Sequence, residues 1–231
     1  MRSAYFTLEK VSDRSECEKL LNDYKIGKEI GKGAYGKVYD VCQDKDCNFV
    51  LKTMEFCKSK YDMIGVPKLS YEYKYDGWRK EIENQLKVIE CSKKYDYKFV
   101  PYVHDAWFCH EKNGDSTFYI VMEKFDGDLK SLIKKFSKHD IDVKNLLKSF
   151  IMLKFEVLGK ALEYINNSCG ICLDDIKLEN ILYKKYSDNN TYDLVFSDFG
   201  TSLFGNNLTT KCIELDIMRF KQAVEDFGNT F

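Results

Sequence analysis

The chain has 231 residues, enough for one large domain or two lobes sharing a cleft. It is 44% hydrophobic, 15% aromatic and 32% charged, and its 36 basic and 37 acidic side chains leave a net charge of −1. That balance gives no overall electrostatic footprint for nucleic acid, and the lysines at 134, 135 and 138 read as a solvated helix face.

No run of about 18 apolar residues marks a membrane-spanning helix. The N-terminal stretch has no apolar core followed by a small-residue cleavage site, so no secretory signal is expected. The nine cysteines then point to a reducing, cytoplasmic setting in which they are ordinary buried or half-buried thiols. Cys169 and Cys172 form a C-x-x-C, and Cys42 and Cys47 a looser pair. Neither has the spacing of a zinc site or the helix-start position of a redox site.

Residues 1–23 read as an N-terminal extension with a weak helical pattern, "SECEKLLNDY", behind Ser15 as N-cap. From Tyr24 the chain changes to short strand-like runs, "YKIGKEIG", "KVYDVCQ" and "FVLKTMEF", parted by "KGAYG" and "DKDCN". Residues 57–77, rich in Tyr and Lys, read as an inserted loop. "WRKEIENQLKVIEC" sets Ile82, Leu86 and Ile89 at helical spacing. "FVPYVHDAWFCHE" and "STFYIVMEKF" are two more strands around the turn "KNGD". The helices "DLKSLIKKF" and "VKNLLKSFIMLKFEVLGKALEYINNS" come next, the second strongly amphipathic. The loop "GICLDDIKLEN" leads into a hairpin of "NILYKKY" and "YDLVFSDFG", and "KCIELDIMRFKQAVEDF" is a last helix. Strands with one helix, followed mainly by helices, predict an α+β chain of two lobes.

Four stretches carry chemistry. In "GKGAYGKV", Gly31, Gly33 and Gly36 give a G-x-G-x-x-G-x-V pattern whose backbone can approach phosphates. A dinucleotide-binding turn would open a helix here. The β-branched and aromatic residues that follow favour a glycine loop on a hairpin, and a plain tight hairpin is the bland alternative. Lys52 ends the apolar run "FVLK", where its ammonium needs an anionic partner; Glu81 is the helix carboxylate best placed for it, with Glu83 second. Asp175, Lys177 and Asn180 stand in D-x-K-x-x-N. That set offers a carboxylate for a hydroxyl proton, a cation for a phosphoryl group and an amide oxygen for a metal ion. Asp198 in "VFSDFG" adds a carboxylate at a strand end, an oxygen ligand suited to Mg²⁺.

In this order the four motifs resemble the eukaryotic-type protein kinase superfamily over roughly residues 24–228. The resemblance implies a bilobal fold, with a β-rich N-lobe carrying one regulatory helix at 24–125 and a shortened helical C-lobe at 126–231. It also implies ATP and Mg²⁺ as cofactors and a protein substrate. Lys52 would grip the α/β-phosphates and pair with Glu81; Asp175 would be the base, Lys177 would steady the γ-phosphate, and Asn180 and Asp198 would hold Mg²⁺. Met122 takes the gatekeeper position, the backbone from Glu123 to Phe125 would meet adenine, and Asp128 would lie near the ribose. Val38, Val50 and Leu182 would sandwich the adenine ring. The lysine two positions after the base resembles the Ser/Thr class.

Two positions depart from the family pattern: Leu173 stands where His is usual and Asp174 where Arg is usual. That Arg normally pairs with a phosphorylated activation loop, so control of this kind is not expected. Only fifteen residues separate Gly200 from Asp216, and no A-P-E follows, so the peptide-docking shelf is expected to be missing. Asp216 resembles the aspartate that braces the catalytic loop from the central helix of the lower lobe. This compact form is similar to the RIO family, the kinase subunit of the KEOPS tRNA-modification complex and the reduced kinases of large DNA viruses, which would act in a host cell. The expected function is a Ser/Thr protein kinase. The alternatives are a pseudokinase-like module regulating a partner, or a small-molecule phosphotransferase or ATPase. A partner protein completing the short C-lobe is a further expectation.

Overall fold

The computed structural model describes residues 11–12, 22–32, 36–56, 69–93, 95, 97–110, 115–186, 191–205 and 209–230. Gly33, the helical pattern up to Leu21, residues 57–68 and the turn tips at 111–114 and 187–190 lie outside the described residues. The chain divides into two compact units, one of residues 1–78 and 102–124, the other of residues 79–101 and 125–231.

The first unit is built on a six-stranded sheet. Its strands are β1 (Val11–Ser12), β2 (Lys25–Lys32), β3 (Lys37–Gln43), β4 (Asp46–Phe56), β5 (Val103–His110) and β6 (Ser116–Glu123), in spatial order β1-β5-β6-β4-β3-β2. All neighbours are antiparallel except β1 with β5. Alternation along each strand sends successive side chains to opposite faces. One face collects Val41, Leu51 and Val121 with Tyr24, Trp107 and Cys109, and Tyr39, Phe49 and Tyr119 pack at its margin. The Trp107 ring stacks on Tyr24 at 5.9 Å and on Tyr119 at 5.1 Å.

A tight turn joins β3 to β4, where Asp44 takes the left-handed conformation at φ 52° that Asp tolerates better than most residues. Ahead of β3, Gly36 is obligatory: a Cβ there would fall 1.9 Å from the Thr53 carbonyl oxygen of β4.

Helix α1 spans Leu69–Ser92, so the loop expected over residues 57–77 is corrected from Leu69 onward. Pro67 is the last helix-breaking residue before it, and Tyr, Lys and Glu are all tolerated in a helix. Gly77 in its interior costs about 1 kcal/mol against Ala, an amount a long helix absorbs.

The second unit holds α2 (Leu129–Phe136), α3 (Ile141–Asn167) and α4 (Thr210–Thr230) with five short strands. Strands β7 (Gly127–Asp128), β9 (Ile181–Tyr186) and β10 (Thr191–Phe196) form one sheet in order β10-β9-β7. Strand β8 (Ile171–Cys172) pairs antiparallel with β11 (Leu203–Phe204). The apolar stripe of α3, Leu147, Ile151, Phe155, Leu158, Leu162 and Ile165, is fully buried. It packs in one core with Phe196, Phe199 and Phe227 and with Val88, Phe99 and Val100 of the first segment. Each such side chain contributes about 1.5–3 kcal/mol by leaving water. Phe220 of α4 comes so near α3 that a Cβ on Gly159 would lie 3.1 Å from its ring.

The expectation of free thiols is corrected. Cys42 bonds Cys47, Cys91 bonds Cys169 and Cys172 bonds Cys212. The C-x-x-C cysteines thus part company, each going to a different partner. Partners 78 and 40 positions away meet only through the tertiary fold, so sequence spacing held no sign of them. Such bonds form and persist most readily in oxidising surroundings. Among the described residues no helix is long and apolar enough to cross a membrane, and no cluster of three or more His, Cys, Asp or Glu could hold a metal ion.

Candidate functional site

Within the first unit the candidates lie on a strip of sheet. Directly opposed residues of antiparallel strands share a face. Gly31 opposes Val38, Val38 opposes Lys52, and Lys52 opposes Ile120. Two residues earlier on β4, Val50 opposes Met122. Val38, Val50, Lys52 and Met122 therefore share the face opposite the aromatic core. Lys52 is half-buried there, with a long apolar stem beside Val38. Past β6 the Glu123 and Lys124 amides donate to the Tyr102 and Asn48 carbonyls at 3.0 and 2.9 Å. Lys124 also pairs with Asp40 at 2.8 Å.

The second unit brings the remaining candidates together. Asp175 Oδ2 accepts from Lys177 Nζ at 2.6 Å and from Asn180 Nδ2 at 2.9 Å. Asn180 Nδ2 also reaches the Asp175 carbonyl at 2.9 Å. The three residues of D-x-K-x-x-N thus form one cluster, because a 3₁₀ turn at Leu178–Asn180 folds Asn180 back over Asp175. The hydrogen bond to Asp175 raises the Lys177 pKa, so its ammonium is held charged. On the same turn Glu179 pairs with Lys130 at 2.5 Å, which lowers the Glu179 pKa.

Asn180 is buried at the head of β9, and its carbonyl accepts from the Ser197 amide at 2.9 Å and hydroxyl at 3.1 Å. That ties the D-x-K-x-x-N turn to the end of β10, where Asp198 follows in a left-handed conformation at φ 64°. Phe199 next to it is fully buried in the core. Gly200 sits against two carboxylates: a Cβ there would lie 3.5 Å from Asp198 Oδ1 and 3.6 Å from Glu81 Oε2. Glu81 itself is 6% exposed, whereas Glu83 pairs at the surface with Arg79 at 2.9 Å. On the same helix Asn84 donates to the Ser202 carbonyl at 3.2 Å, and Lys87 covers the Phe204 ring at 3.2 Å.

Asp128 opposes Leu182 in the β7–β9 pair. Its Oδ1 caps α2 by accepting from the Ser131 amide at 2.8 Å, so this candidate ribose contact also has a structural duty.

Beneath the cluster lies Asp216 of α4, with no exposed surface. Its Oδ2 accepts from the Leu173 amide at 2.7 Å and from Asn166 Nδ2 at 2.9 Å, and its Oδ1 from the Asp174 amide at 2.9 Å. Burial raises the Asp216 pKa, while these donors and the charge of Arg219 pull against it. Leu173 is buried, its carbonyl accepting from the Ser202 hydroxyl at 3.2 Å. Arg219 and Asn166 were not singled out from the sequence. The signal for Arg219 was its place seven residues beyond Cys212 and three beyond Asp216, on one face of α4.

The chain matches the protein kinase domain family over residues 24–218, most of its length. It belongs to the eukaryotic-type protein kinase superfamily. It is 29% identical over 223 residues to a probable serine/threonine-protein kinase of Dictyostelium discoideum, covering 91% of this chain and 26% of that protein. To Aurora kinase A-A of Xenopus laevis it is 27% identical over 201 residues, covering 86% of this chain and 41% of that protein. The chain therefore spans well under half the length of these relatives.

Proposed function

We propose that this chain is an ATP-dependent protein kinase of the Ser/Thr class, transferring the γ-phosphoryl of Mg-ATP to a protein hydroxyl. The observation that carries the reading is the Asp175–Lys177–Asn180 cluster, closed at 2.6 and 2.9 Å, in a chain of the protein kinase family. Asp175 Oδ2 is occupied by two donors, so contact with the substrate hydroxyl falls to Oδ1. In the transfer, the γ-phosphorus breaks from its bridging oxygen and bonds the acceptor oxygen. ADP leaves, and the hydroxyl proton passes to Asp175. Little covalent work falls to the protein in such a loose transition state, so positioning and charge carry the rate.

Lys177 steadies the γ-phosphate, and Lys52 meets the other phosphates with Glu81 as its counter-ion. The donor set fits magnesium. Asn180 commits its amide nitrogen to Asp175, which leaves its oxygen as the ligand atom, and Asp198 supplies a carboxylate. Two protein oxygens plus phosphates and water are how Mg²⁺ is usually held. When bound, the ion neutralises phosphate charge. Adenine lies against Val38, Val50 and Leu182. Its hydrogen bonds fall to the Glu123 carbonyl and the Phe125 backbone, since the Glu123 and Lys124 amides are engaged.

The test is transfer of labelled phosphate from ATP to casein, histone or myelin basic protein with Mg²⁺. Transfer by the wild type and its loss in Asp198→Ala are expected. No transfer by the wild type, or equal transfer by the variant, overturns the reading.

A further inference from the structure

Asp174 is an unusual residue to find one position before the candidate base. Its φ of 59° puts a side chain in the left-handed region, which L-residues rarely adopt and Asp tolerates better than most. Such a conformation persists only where its surroundings over-determine it. Here they do. The Asp174 amide donates to Asp216 Oδ1 at 2.9 Å. Its carbonyl accepts from Arg219 Nη1, and its Oδ1 accepts from the same nitrogen at 2.5 Å.

The source of these contacts is one helix face. Cys212, Asp216 and Arg219 lie four and three residues apart, so they stand in a row along α4. The row meets the extended segment in register. Cys212 bonds Cys172, Asp216 accepts from Leu173 and Asp174, and Arg219 holds Asp174. Arg219 bonds Asp174 directly, and its charge also acts on the buried Asp216, so one guanidinium serves two carboxylates.

We propose that Arg219 is a positioning residue for the catalytic loop. It locks Asp174 in its left-handed conformation by carbonyl and carboxylate together, and so fixes the direction in which the chain presents Asp175. The loop is thereby held by a cation built into α4. This inference rests on the kinase reading for its effect on rate, but not for its effect on the loop.

Arg219→Lys, Arg219→Gln, Asp174→Asn and the double variant Asp174→Asn/Arg219→Gln test it with two readouts. In steady-state kinetics Arg219→Gln lowers kcat about tenfold or more with KM for ATP held within about twofold, because a displaced base slows transfer without weakening nucleotide binding. Arg219→Lys keeps most of the rate. The double variant is no slower than Arg219→Gln, because both substitutions break the same Asp174–Arg219 contact. In hydrogen exchange, the Leu173 and Asp174 amides of Arg219→Gln exchange faster than in the wild type, and those of Arg219→Lys do not. Multiplicative losses in the double variant, a change confined to KM, or unchanged exchange at Leu173 and Asp174 overturns the proposal. If the wild type transfers no phosphate, the kinase reading fails and the exchange measurement alone decides the fate of the Arg219 lock.

Discussion

Lys177 Nζ and Asp175 Oδ2 are 2.6 Å apart, so the candidate phosphate ligand and the candidate base form one ion pair. Both side chains are substantially exposed, at 48% and 37%, so the pair adds little to stability, about 0–1 kcal/mol at most. Its value is chemical. Asp175→Asn is expected to reduce phosphoryl transfer by about 10²–10⁴. Lys177→Met is expected to reduce it less, since the base remains. Both variants should keep the wild-type urea midpoint, and initial rates beside unfolding curves check both halves of this expectation.

Asp216 behaves oppositely. It is fully buried and accepts from two backbone amides and the Asn166 side chain. Asp216→Ala strips those donors of their partner in a site water cannot enter, and is expected to cost about 3 kcal/mol or more of stability. Chemical denaturation followed by near-UV circular dichroism measures the loss. Asp216→Asn keeps one acceptor oxygen and is expected to fall between the alanine variant and the wild type.

The Cys172–Cys212 bond closes a span of 40 positions, which by chain entropy stabilises the folded state by about 4 kcal/mol. Cys42–Cys47 closes a span of only 5 and contributes far less. Among the bonds of the described residues, reduction is therefore expected to lower the melting temperature mainly through the two long spans, and Cys172→Ser/Cys212→Ser to reproduce much of the drop. Alkylation before and after reduction, read by intact mass, counts the bonds. Full alkylation of the unreduced protein would remove the effect.

Alkaline pH offers a separate probe of the second unit. Tyr97 donates its hydroxyl to the Leu194 carbonyl at 2.8 Å. Burial, with help from the Asp193 charge, pushes its pKa up to about 12 from the ordinary 10.0. The folded state thus holds this proton more tightly than the unfolded one. Its contribution is complete below pH 10.0 and is lost as the pH climbs to about 12. Tyr97→Phe is expected to flatten that stretch of the stability–pH curve, as denaturant midpoints taken across it would record.

Much of this was legible in the sequence, for identifiable reasons. Strands β2 to β6 announced themselves as short β-branched and aromatic runs parted by turn residues, and the helix face of α1 already favoured Glu81 over Glu83. Asp175, Lys177 and Asn180 were readable because their contacts are local, within five positions of one another. Contacts between distant positions were legible only where the family resemblance supplied them, as for Asp216 and the Leu173 and Asp174 amides. The Arg219 grip on Asp174 crosses 45 positions, and the disulfide partners lie as much as 78 apart. Strands β7, β8 and β11 are two residues each, too short for any periodicity to register. The start of α1 was hidden by tyrosines whose strand preference is weaker than their tolerance of a helix.

The second unit takes its residues from both sides of the segment 102–124, with Val88, Phe99 and Val100 in the same core as Leu158, Phe196 and Phe227. During synthesis from the N-terminus, those early apolar side chains leave the ribosome long before α3 and β10 exist to cover them. Translation thus sets an order of events: the nascent chain must carry exposed core residues through much of its own production, a period when chaperones matter. It also means that no single cut in the gene separates the two units. A clone of the second unit alone would need residues 79–101 joined directly to 125 onward.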